Sequence, residues 1–182
     1  MQKSFFITNL LKNIPCIQIN LLYNEISCSI PATMVLPCLF FLRDNVNCQF
    51  KILSTITVID YPEKKFRFEI IYDLLSLRFN NRIRLKIFIN ELTLINSVNT
   101  IFLSSNWVER EIFDLFGIFF INHPDLRRIL TDYGFDGFPL RKDFPLNGFI
   151  DVRYDIVEKR VIYEKIELNQ TFKFFKFYNS WL

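Results

Sequence analysis

The sequence of 182 residues is poor in the two smallest residues. It contains one alanine, Ala32, and four glycines, against 22 phenylalanines. A composition this skewed towards residues with A/T-rich codons disfavours glycine, so each remaining glycine is expected where the backbone excludes a Cβ atom. All four lie in residues 107–148, which predicts a shaped, irregular surface there. Their spacing excludes a phosphate-binding loop of the G-x-G-x-x-G or Walker type.

Histidine and closely paired cysteines are also scarce. His123 is the only histidine, and Cys16, Cys28, Cys38 and Cys48 include no C-x-x-C pair. Zinc and iron–sulfur sites use closely spaced ligands, so the sequence predicts neither. The apolar neighbours of each cysteine favour four buried free thiols and a reducing compartment. We expect His123 to act as a cap or a hydrogen-bonded contact.

No stretch of the sequence is apolar for long enough to predict a membrane span. The longest uncharged runs, residues 26–42 and 92–108, contain prolines or polar residues and fall short of about 20 apolar residues. Lys3 and Lys12 are the only basic residues before Arg43, which makes the N-terminus a poor signal or transit peptide. If the protein works in an organelle, we expect it to be made there.

The charge distribution argues against nucleic-acid binding. The formal net charge is +3, and residues 1–106 carry 11 Lys and Arg against 7 Asp and Glu. Residues 107–148 carry 5 Lys and Arg against 7 Asp and Glu. The basic excess therefore lies outside the most unusual stretch, whereas a nucleic-acid site predicts that it lies within it.

The pattern of apolar residues predicts an α+β fold. We expect a two-layer α/β sandwich of helix, two strands, helix, three strands and helix. These elements are predicted at residues 4–13, 16–23, 26–30, 31–43, 50–60, 66–79, 82–89 and from 106 to about 117. Pro37 would kink the second helix or delay its start. Residues 1–118 are expected to form the globular domain, and residues 119–182 an extended docking loop, rich in glycine and proline, with a C-terminal tail.

Residues 66–89 give the clearest hairpin signal. We predict a three-residue loop that pairs Arg78 with Arg82, keeps the two faces pure and places Asn81 in the left-handed conformation. One face of the second strand would carry Arg82, Arg84 and Lys86, which with Arg78 form a patch of like charge. Such a patch is either solvated or contacts an acidic partner.

Residues 106–117 have the spacing of an amphipathic helix. Asn106 is the predicted N-cap, Glu109 would complete a capping box, and Gly117 is the predicted end. A second, short helix is predicted at residues 125–130, directly after a proline. The glycines and prolines beyond it predict irregular structure, followed by strand-like alternation at residues 152–156 and 161–163.

The charged residues of this helix do not predict a catalytic pair. Glu109 and Glu111 would point about 200° apart around the helix, so they cannot work as paired acid and base. Arg110 and Asp114 have the spacing of an ion pair. We therefore expect a salt-bridged helix face, and the chain lacks the parts of a self-sufficient redox or hydrolytic enzyme.

Residues 135–146 have the composition of a docking segment. Phe135, Phe138, Leu140, Phe144 and Leu146 alternate with charged residues on a backbone stiffened by two prolines. Rigid aromatic anchors lose little conformational entropy on binding, which suits an interface. The alternative is that the segment packs on its own domain, and both can hold for different residues.

The motifs of this stretch resemble those of a known family. They read ERE at 109–111, DLFG at 114–117, HPDLRRIL at 123–130 and GFDGFPLRKDFP at 134–145. This set resembles the signature of the 30 kDa subunit family of respiratory complex I, the proton-pumping NADH:ubiquinone oxidoreductase. The member is called subunit 9 when it is encoded in mitochondria, and its bacterial counterpart is designated by the letter C. The tail also resembles the mitochondrial form, through VRYD at 152–155, RV at 160–161, Phe172 and Trp181.

The resemblance implies a structural subunit of the peripheral arm without a flavin, iron–sulfur cluster or quinone ligand of its own, and thus without cofactors. It implies docking on the quinone-site subunit that resembles a hydrogenase large subunit (the 49 kDa type) and on neighbouring iron–sulfur subunits. Nucleic acid and a membrane span are not implied. The implied location is the matrix side of the mitochondrial inner membrane, for a product encoded in the organelle.

We interpret the motif residues as partner-binding, with no catalytic or metal-binding role. The set is Glu109, Arg110, Glu111, Asp114, His123, Arg127, Arg128, Phe135, Pro139, Leu140, Arg141, Lys142, Asp143, Phe144 and Pro145. Two positions depart from the family pattern. Phe138 stands where histidine is common, and Lys165 stands where proline is expected.

Two other classes fit parts of the sequence. A subunit of a related membrane-bound hydrogenase or formate-hydrogenlyase-type complex would share the motifs, but the mitochondrial-type tail argues against it. A basic organellar RNA-binding or ribosomal protein would carry its Lys and Arg on the unusual stretch, which is slightly acidic here. Binding that falls steeply with salt would support that third class.

Overall fold

The computed structural model describes residues 14–22, 25–168 and 173. The strands are β1 (Gln18–Leu22), β2 (Glu25–Ser29), β3 (Ile52–Asp60), β4 (Phe68–Ser76), β5 (Asn81–Ile89), β6 (Ile95–Asn96), β7 (Phe120–Ile121), β8 (Ile150–Asp155) and β9 (Arg160–Lys165). The α-helices are α1 (Val35–Asp44), which follows a short 3-10 helix at Ala32–Met34, and α2 (Ser105–Phe116). The α+β class predicted from the sequence is confirmed. The helix predicted at residues 4–13 lies outside the described residues.

A five-stranded sheet forms the centre of the fold. Its strand order is β1-β2-β5-β4-β3, and every neighbouring pair is antiparallel except β2 with β5. One apolar core joins the sheet to both helices through fully buried residues such as Leu39, Tyr72 and Leu85, and through Ile112 of α2. Pro37 lies in the first turn of α1, where a backbone N–H is not needed, so the helix starts late rather than kinks.

The predicted register of the β4–β5 hairpin is wrong. Ser76 pairs with Asn81, which leaves four residues, 77–80, in the loop, and Asn80 rather than Asn81 has the positive φ of 47°. Tyr72 pairs with Leu85 and Leu74 with Ile83, so an entirely apolar row faces the core. The predicted three-residue loop would have paired Leu74 with Lys86 and so placed a charged side chain on the core face. Burying that charge would cost free energy, which favours the longer loop.

Two of the four basic residues in the predicted patch of like charge, Arg84 and Lys86, are neutralised. Arg84 forms two hydrogen bonds to the Asp73 carboxylate, at 2.8 and 3.0 Å. The ammonium of Lys86 lies 2.8 Å from a carboxylate oxygen of Glu69. Both acidic residues lie on β4, directly beside the basic strand. The prediction of the patch took no account of the acidic residues on the neighbouring strand β4, which supply the compensating charge.

The prediction of four free thiols is wrong for two of them. Cys16 and Cys28 form a disulfide across a Cα–Cα distance of 6.1 Å, because the antiparallel β1–β2 hairpin returns the chain beside its own start. Cys38 and Cys48 are free and buried. Burial raises the pKa of the Cys38 thiol to about 11 and also raises that of Cys48, so both thiols are protonated and unreactive.

The chain forms two compact units, one that ends at Phe144 and one that begins at Pro145. The second contains the antiparallel hairpin of β8 and β9, which confirms the strand-like alternation predicted there. The domain boundary predicted after residue 118 stays a prediction. Within the part of the chain that the structure describes, no helix has the length and apolarity needed to cross a membrane.

Candidate functional site

The motif residues lie on α2 and on the irregular segment that follows it. We call residues 118–144 the signature loop. Gly117 ends α2 as predicted, with a positive φ of 75° and its N–H bonded to the Phe113 carbonyl. Apart from the two residues of β7, the signature loop has no helix or strand, so the predicted helix at 125–130 is wrong. Its shape is fixed by side chains of α2 and of the sheet.

Asp114 replaces that helix with a different set of hydrogen bonds. One carboxylate oxygen accepts the backbone N–H groups of Ile129, Leu130 and Thr131, at 3.1, 2.7 and 2.9 Å. The other accepts the Thr131 hydroxyl and lies 3.2 Å from the guanidinium of Arg128. Burial opposes ionisation of Asp114, but these hydrogen bonds outweigh it and lower the pKa of the carboxyl. Asp114 is therefore a buried anion around which the chain turns.

Glu109 performs a similar task at the other end of α2. Its carboxylate is buried and accepts the Ser97 hydroxyl at 2.5 Å and the Val98 N–H at 2.8 Å. Asn106 is not the N-cap, since α2 begins at Ser105 and Glu109 is engaged by the preceding loop instead. Burial raises the pKa of Glu109 and outweighs the hydrogen bonds that favour its ionised form.

His123 makes the hydrogen-bonded contact that was predicted for it. Its Nδ1 accepts the Asp125 N–H at 3.1 Å, so the proton of the neutral ring is on Nε2. That nitrogen faces the Asn106 carbonyl at 3.3 Å and the Glu109 carboxylate at 3.8 Å. The side chain is fully buried, and the ring joins the first residues of the signature loop to α2.

The predicted ion pair between Arg110 and Asp114 is absent. The guanidinium of Arg110 instead lies 5.2 Å from the ring of Trp107 and donates to the Arg127 carbonyl at 3.2 Å. Asp114 is turned towards Arg128 and three backbone N–H groups, which satisfy it better than one arginine on its own helix would. Residues that follow one another on α2 thus hold different parts of the signature loop.

The signature loop returns to the C-terminal end of α2 and contacts it there. The Leu140 N–H donates to the Leu115 carbonyl at 3.1 Å, and Arg141 Nε donates to the Phe116 carbonyl at 2.6 Å. These carbonyls have no partner within the helix, and the helix dipole favours a cation beside them. The guanidinium of Arg141 also lies 4.6 Å from the centre of the Phe138 ring. The last carbonyls of α2 therefore accept hydrogen bonds from donors of the signature loop.

The sheet holds the same part of the loop through Asp60 and Arg67. Arg67 donates twice to the Asp60 carboxylate, at 2.8 and 2.9 Å, and pairs with Glu91 and with Asp143. Asp60 also accepts the backbone N–H of Lys142 at 2.9 Å. The hydrogen bond to Arg67 lowers the pKa of Asp60 and raises that of Arg67, so both stay charged. Asp60 and Arg67 lie outside the motifs, and only the β3–β4 register could have indicated that they support them.

Phe138 sits between two guanidinium groups. Arg128 lies 5.3 Å and Arg141 4.6 Å from its ring centre, and both are cation–π distances. Its ring occupies the space where a Cβ atom of Gly117 would be, at 2.6 Å. A Cβ atom added at Gly137 would likewise lie 2.9 Å from the ring of Phe144. Two of the scarce glycines are thus required by ring packing, as their scarcity predicted.

The predicted partner-binding residues fall into three groups. Those buried within this chain are Glu109, Arg110, Asp114 and the side chain of His123. Those partly exposed are Arg128, Phe135, Pro139, Arg141 and Phe144. Those exposed are Glu111, Arg127, Leu140, Lys142, Asp143 and Pro145. The buried group holds the fold, while the exposed group is available to a partner, and partner contact stays a prediction for all of them.

Across residues 14–22 and 25–168, no group of three or more His, Cys, Asp or Glu side chains is placed to hold a metal ion. The buried carboxylates of Glu109 and Asp114 are occupied by hydrogen bonds from their own chain. Both carboxylates therefore hold the backbone of their own chain in place.

Comparison with known proteins gives consistent matches. A family model described as respiratory-chain NADH dehydrogenase, 30 Kd subunit, matches residues 28–150. The chain is 52% identical over 157 residues to NADH-ubiquinone oxidoreductase subunit 9 of Reclinomonas americana, covering 86% of this chain and 77% of that one. It is 51% identical over 162 residues to the corresponding NADH-quinone oxidoreductase subunit of Brucella ovis, covering 89% and 80%.

Two solved structures share the fold. A trypsin-resistant fragment of Nqo5 superposes with a TM-score of 0.58 at 25% identity, covering 69% of this chain and 100% of the fragment. A chain of the membrane-bound sulfane sulfur reductase, an archaeal respiratory membrane complex, superposes with a TM-score of 0.70 at 20% identity, covering 80% and 87%. The second likeness, at this identity, concerns the fold alone.

Proposed function

The chain belongs to the family of the 30 kDa subunit of respiratory-chain NADH dehydrogenase, and from this premise we propose that it is a non-catalytic docking subunit of proton-pumping NADH:ubiquinone oxidoreductase. The family predicted from the motifs is thereby confirmed. In this proposal the chain binds the quinone-site subunit and shapes its surroundings, and the neighbouring subunits carry the electrons from NADH to ubiquinone. Its place is the peripheral arm on the matrix side of the mitochondrial inner membrane.

The observation that carries the proposal is the apolar face of the β8–β9 hairpin, whose apolar residues are more than half exposed. Residues that pair across the two strands share a face, and the register divides the hairpin into one apolar face and one mainly charged face that also carries Ile162. The apolar face consists of Ile150, Val152, Tyr154, Val161 and Tyr163, with Lys165 at its end. Each of the five apolar residues is between 51 and 60% exposed. The charged face includes the ion pair of Arg153 with Glu164.

Such a hairpin needs a partner surface. A lone two-stranded hairpin is marginally stable in water, and its apolar face gains free energy only when something covers it. The signature loop adds a second surface whose shape is fixed before binding, because its polar anchors are satisfied within the chain. A rigid surface loses little entropy on association. Together these features support a chain that is completed by its neighbours.

A substitution on each face of β8 tests the proposal. Val152→Asn places an amide on the apolar face, and Asp151→Asn places the same amide on the charged face as a matched control. Organelle membranes with a tag on this chain are separated by native electrophoresis. We expect the wild-type chain and D151N to migrate with NADH dehydrogenase activity and V152N to be depleted from that band.

Two results would overturn the proposal. One is equal recovery of V152N and D151N in the active band, which would show that the apolar face is not covered there. The other is migration of the wild-type chain with ribosomes or with a hydrogenase activity. A purified chain that oxidises NADH unaided would contradict its non-catalytic character.

A further inference from the structure

Two lysines lie close to one tyrosine at the rim of the signature loop, and a third lysine is next to one of them in the sequence. The ammonium of Lys64 lies 3.8 Å from the centre of the Tyr61 ring, and that of Lys142 lies 5.7 Å from the same centre. Because both distances are measured from the same ring centre, the separation of the two ammonium nitrogens cannot exceed the sum of 3.8 and 5.7 Å. Lys65 follows Lys64 in the same exposed loop. We call Tyr61, Lys64, Lys65 and Lys142 the lysine edge.

The backbone beneath the lysine edge is fixed. The Tyr61 N–H donates to the Arg67 carbonyl at 2.7 Å, and the Lys64 N–H donates to the Tyr61 carbonyl at 3.0 Å. The Lys142 N–H donates to the buried Asp60 carboxylate at 2.9 Å. The positions from which these side chains extend are thus set by the sheet, and ordering them costs a partner less entropy.

The charges of the lysine edge differ from those around it. The neighbouring guanidinium groups are neutralised within the chain, Arg67 by Asp60, Glu91 and Asp143. Among the described residues, no carboxylate oxygen lies within 4.0 Å of the ammonium groups of Lys64, Lys65 or Lys142. Like charges this close repel one another, and an external anion would relieve the repulsion.

We infer that the lysine edge binds an acidic segment of a neighbouring protein subunit. This inference rests on the proposed function and names the chemistry of one contact within it. The edge is continuous with the signature loop, because Lys142 lies between Arg141, which anchors the loop, and exposed Asp143. Aspartate and glutamate side chains match the ammonium groups in charge.

The number of charges favours a protein over the other polyanions. Electrostatic binding to anionic lipid uses clusters of about four to eight basic residues. Nucleic-acid binding gains its strength from many phosphate contacts, of the order of six to ten. Two ammonium groups beside one aromatic ring, with a third exposed lysine next in the sequence, fit a few carboxylates on a folded partner. Charged rims of this kind govern the rate and salt dependence of association.

A zero-length carbodiimide reagent tests the inference in the assembled complex, because it joins an ammonium to a carboxylate only when the two are in contact. We expect peptides in which Lys64, Lys65 or Lys142 is linked to an aspartate or glutamate of another subunit. We also expect K64E/K65E to reduce the chain recovered with the complex about tenfold at low salt, and less in elevated salt, which screens exposed charges. The matched control K51E/R82E reverses two exposed charges elsewhere on the sheet domain and should assemble normally.

The outcomes separate this inference from the proposed function. If the chain is absent from the NADH dehydrogenase particle, the proposed function fails, and this inference fails with it. If the chain is present but all three lysines react freely with an amine reagent in the particle, and K64E/K65E assembles like K51E/R82E, only this inference is overturned. A third outcome is that K64E/K65E prevents the purified particle from binding anionic vesicles or RNA, while no lysine is cross-linked to a subunit. This outcome would overturn the inference, and the lysine edge would then bind lipid or RNA instead.

Discussion

The carboxylate of Asp60 accepts the backbone N–H of Lys142, a residue 82 positions later in the sequence, at 2.9 Å. The same carboxylate holds Arg67 through two further hydrogen bonds. Asp60 is 3% exposed, so the position of the signature loop depends on a buried charge at the end of a central-sheet strand. An account of the loop that considers only the loop's own motifs omits this support.

Asp60→Asn should strongly destabilise the chain. The amide places an N–H₂ group among donors, leaves Arg67 without its main partner and weakens the bond to Lys142. Breaking a buried ion pair from one side costs about 3–5 kcal/mol. Asp73→Asn is the matched control, because Asp73 also holds an arginine, Arg84, through two bonds but on the exposed face. There we expect less than about 1 kcal/mol. Urea unfolding of the purified chain measures both, and equal losses would contradict the prediction.

Arg141→Ala should loosen the signature loop without harming turnover directly. The substitution removes the donor to the Phe116 carbonyl and one of the two cations beside Phe138. A hydrogen bond from a charged group contributes about 1.5–3 kcal/mol. We expect fewer assembled complexes, each with normal NADH:ubiquinone activity, while exposed Arg127→Ala assembles normally. The prediction would be refuted if the Arg141→Ala complex assembled in normal amounts but had lost its NADH:ubiquinone activity.

Glu109 should give the chain a pH dependence opposite to that of Asp60. Burial raises the pKa of Glu109 above its ordinary value of 4.5, so the folded chain keeps this proton after the unfolded chain has lost it. The stability gained in this way is fully present below pH 4.5 and is lost as the pH rises through the raised pKa. The pKa of Asp60 is lowered from 3.8, so its contribution is lost as the pH falls below that value.

The variant Glu109→Gln separates these two effects. Glutamine cannot ionise, so the decline in stability above pH 4.5 should disappear, while the loss at acidic pH caused by Asp60 remains. Glu111→Gln, on the exposed side of the same helix, should leave both slopes as they are. Urea midpoints measured across the pH range give the answer. An unchanged slope above pH 4.5 in E109Q would rule out Glu109 as its source.

The sequence predicted those features that depend on neighbours in the chain. The inward and outward rows of β5, the end of α2 at Gly117 and the irregular path of residues 131–148 follow from local periodicity and from glycine and proline. The family followed from motifs that lie close together. The role of the motif residues did not, since Glu109 and Asp114 bind backbone N–H groups that no spacing on a helix indicates.

The missed features share one physical cause. The Asp60–Lys142 bond, the Cys16–Cys28 disulfide and the pairing of Arg84 with Asp73 all join residues that only the tertiary fold brings together. The helix predicted at residues 125–130 failed for the same reason, since a buried carboxylate from another element took its backbone donors. Local propensity is a weak influence compared with a buried, hydrogen-bonded charge.

The two glycines Gly117 and Gly134 should respond differently to the same substitution. Both have a positive φ, 75° and 76°, so alanine costs either about 1–2 kcal/mol of backbone strain. At Gly134 an added Cβ meets nothing within 4 Å, whereas at Gly117 it meets the Phe138 ring at 2.6 Å. We therefore expect Gly117→Ala to cost about 1–3 kcal/mol more than Gly134→Ala in urea unfolding. Phe138→Ala should recover part of that difference in a double-mutant cycle, because it vacates the contested space. Equal costs at the two glycines would mean that Phe138 does not pack against the end of α2.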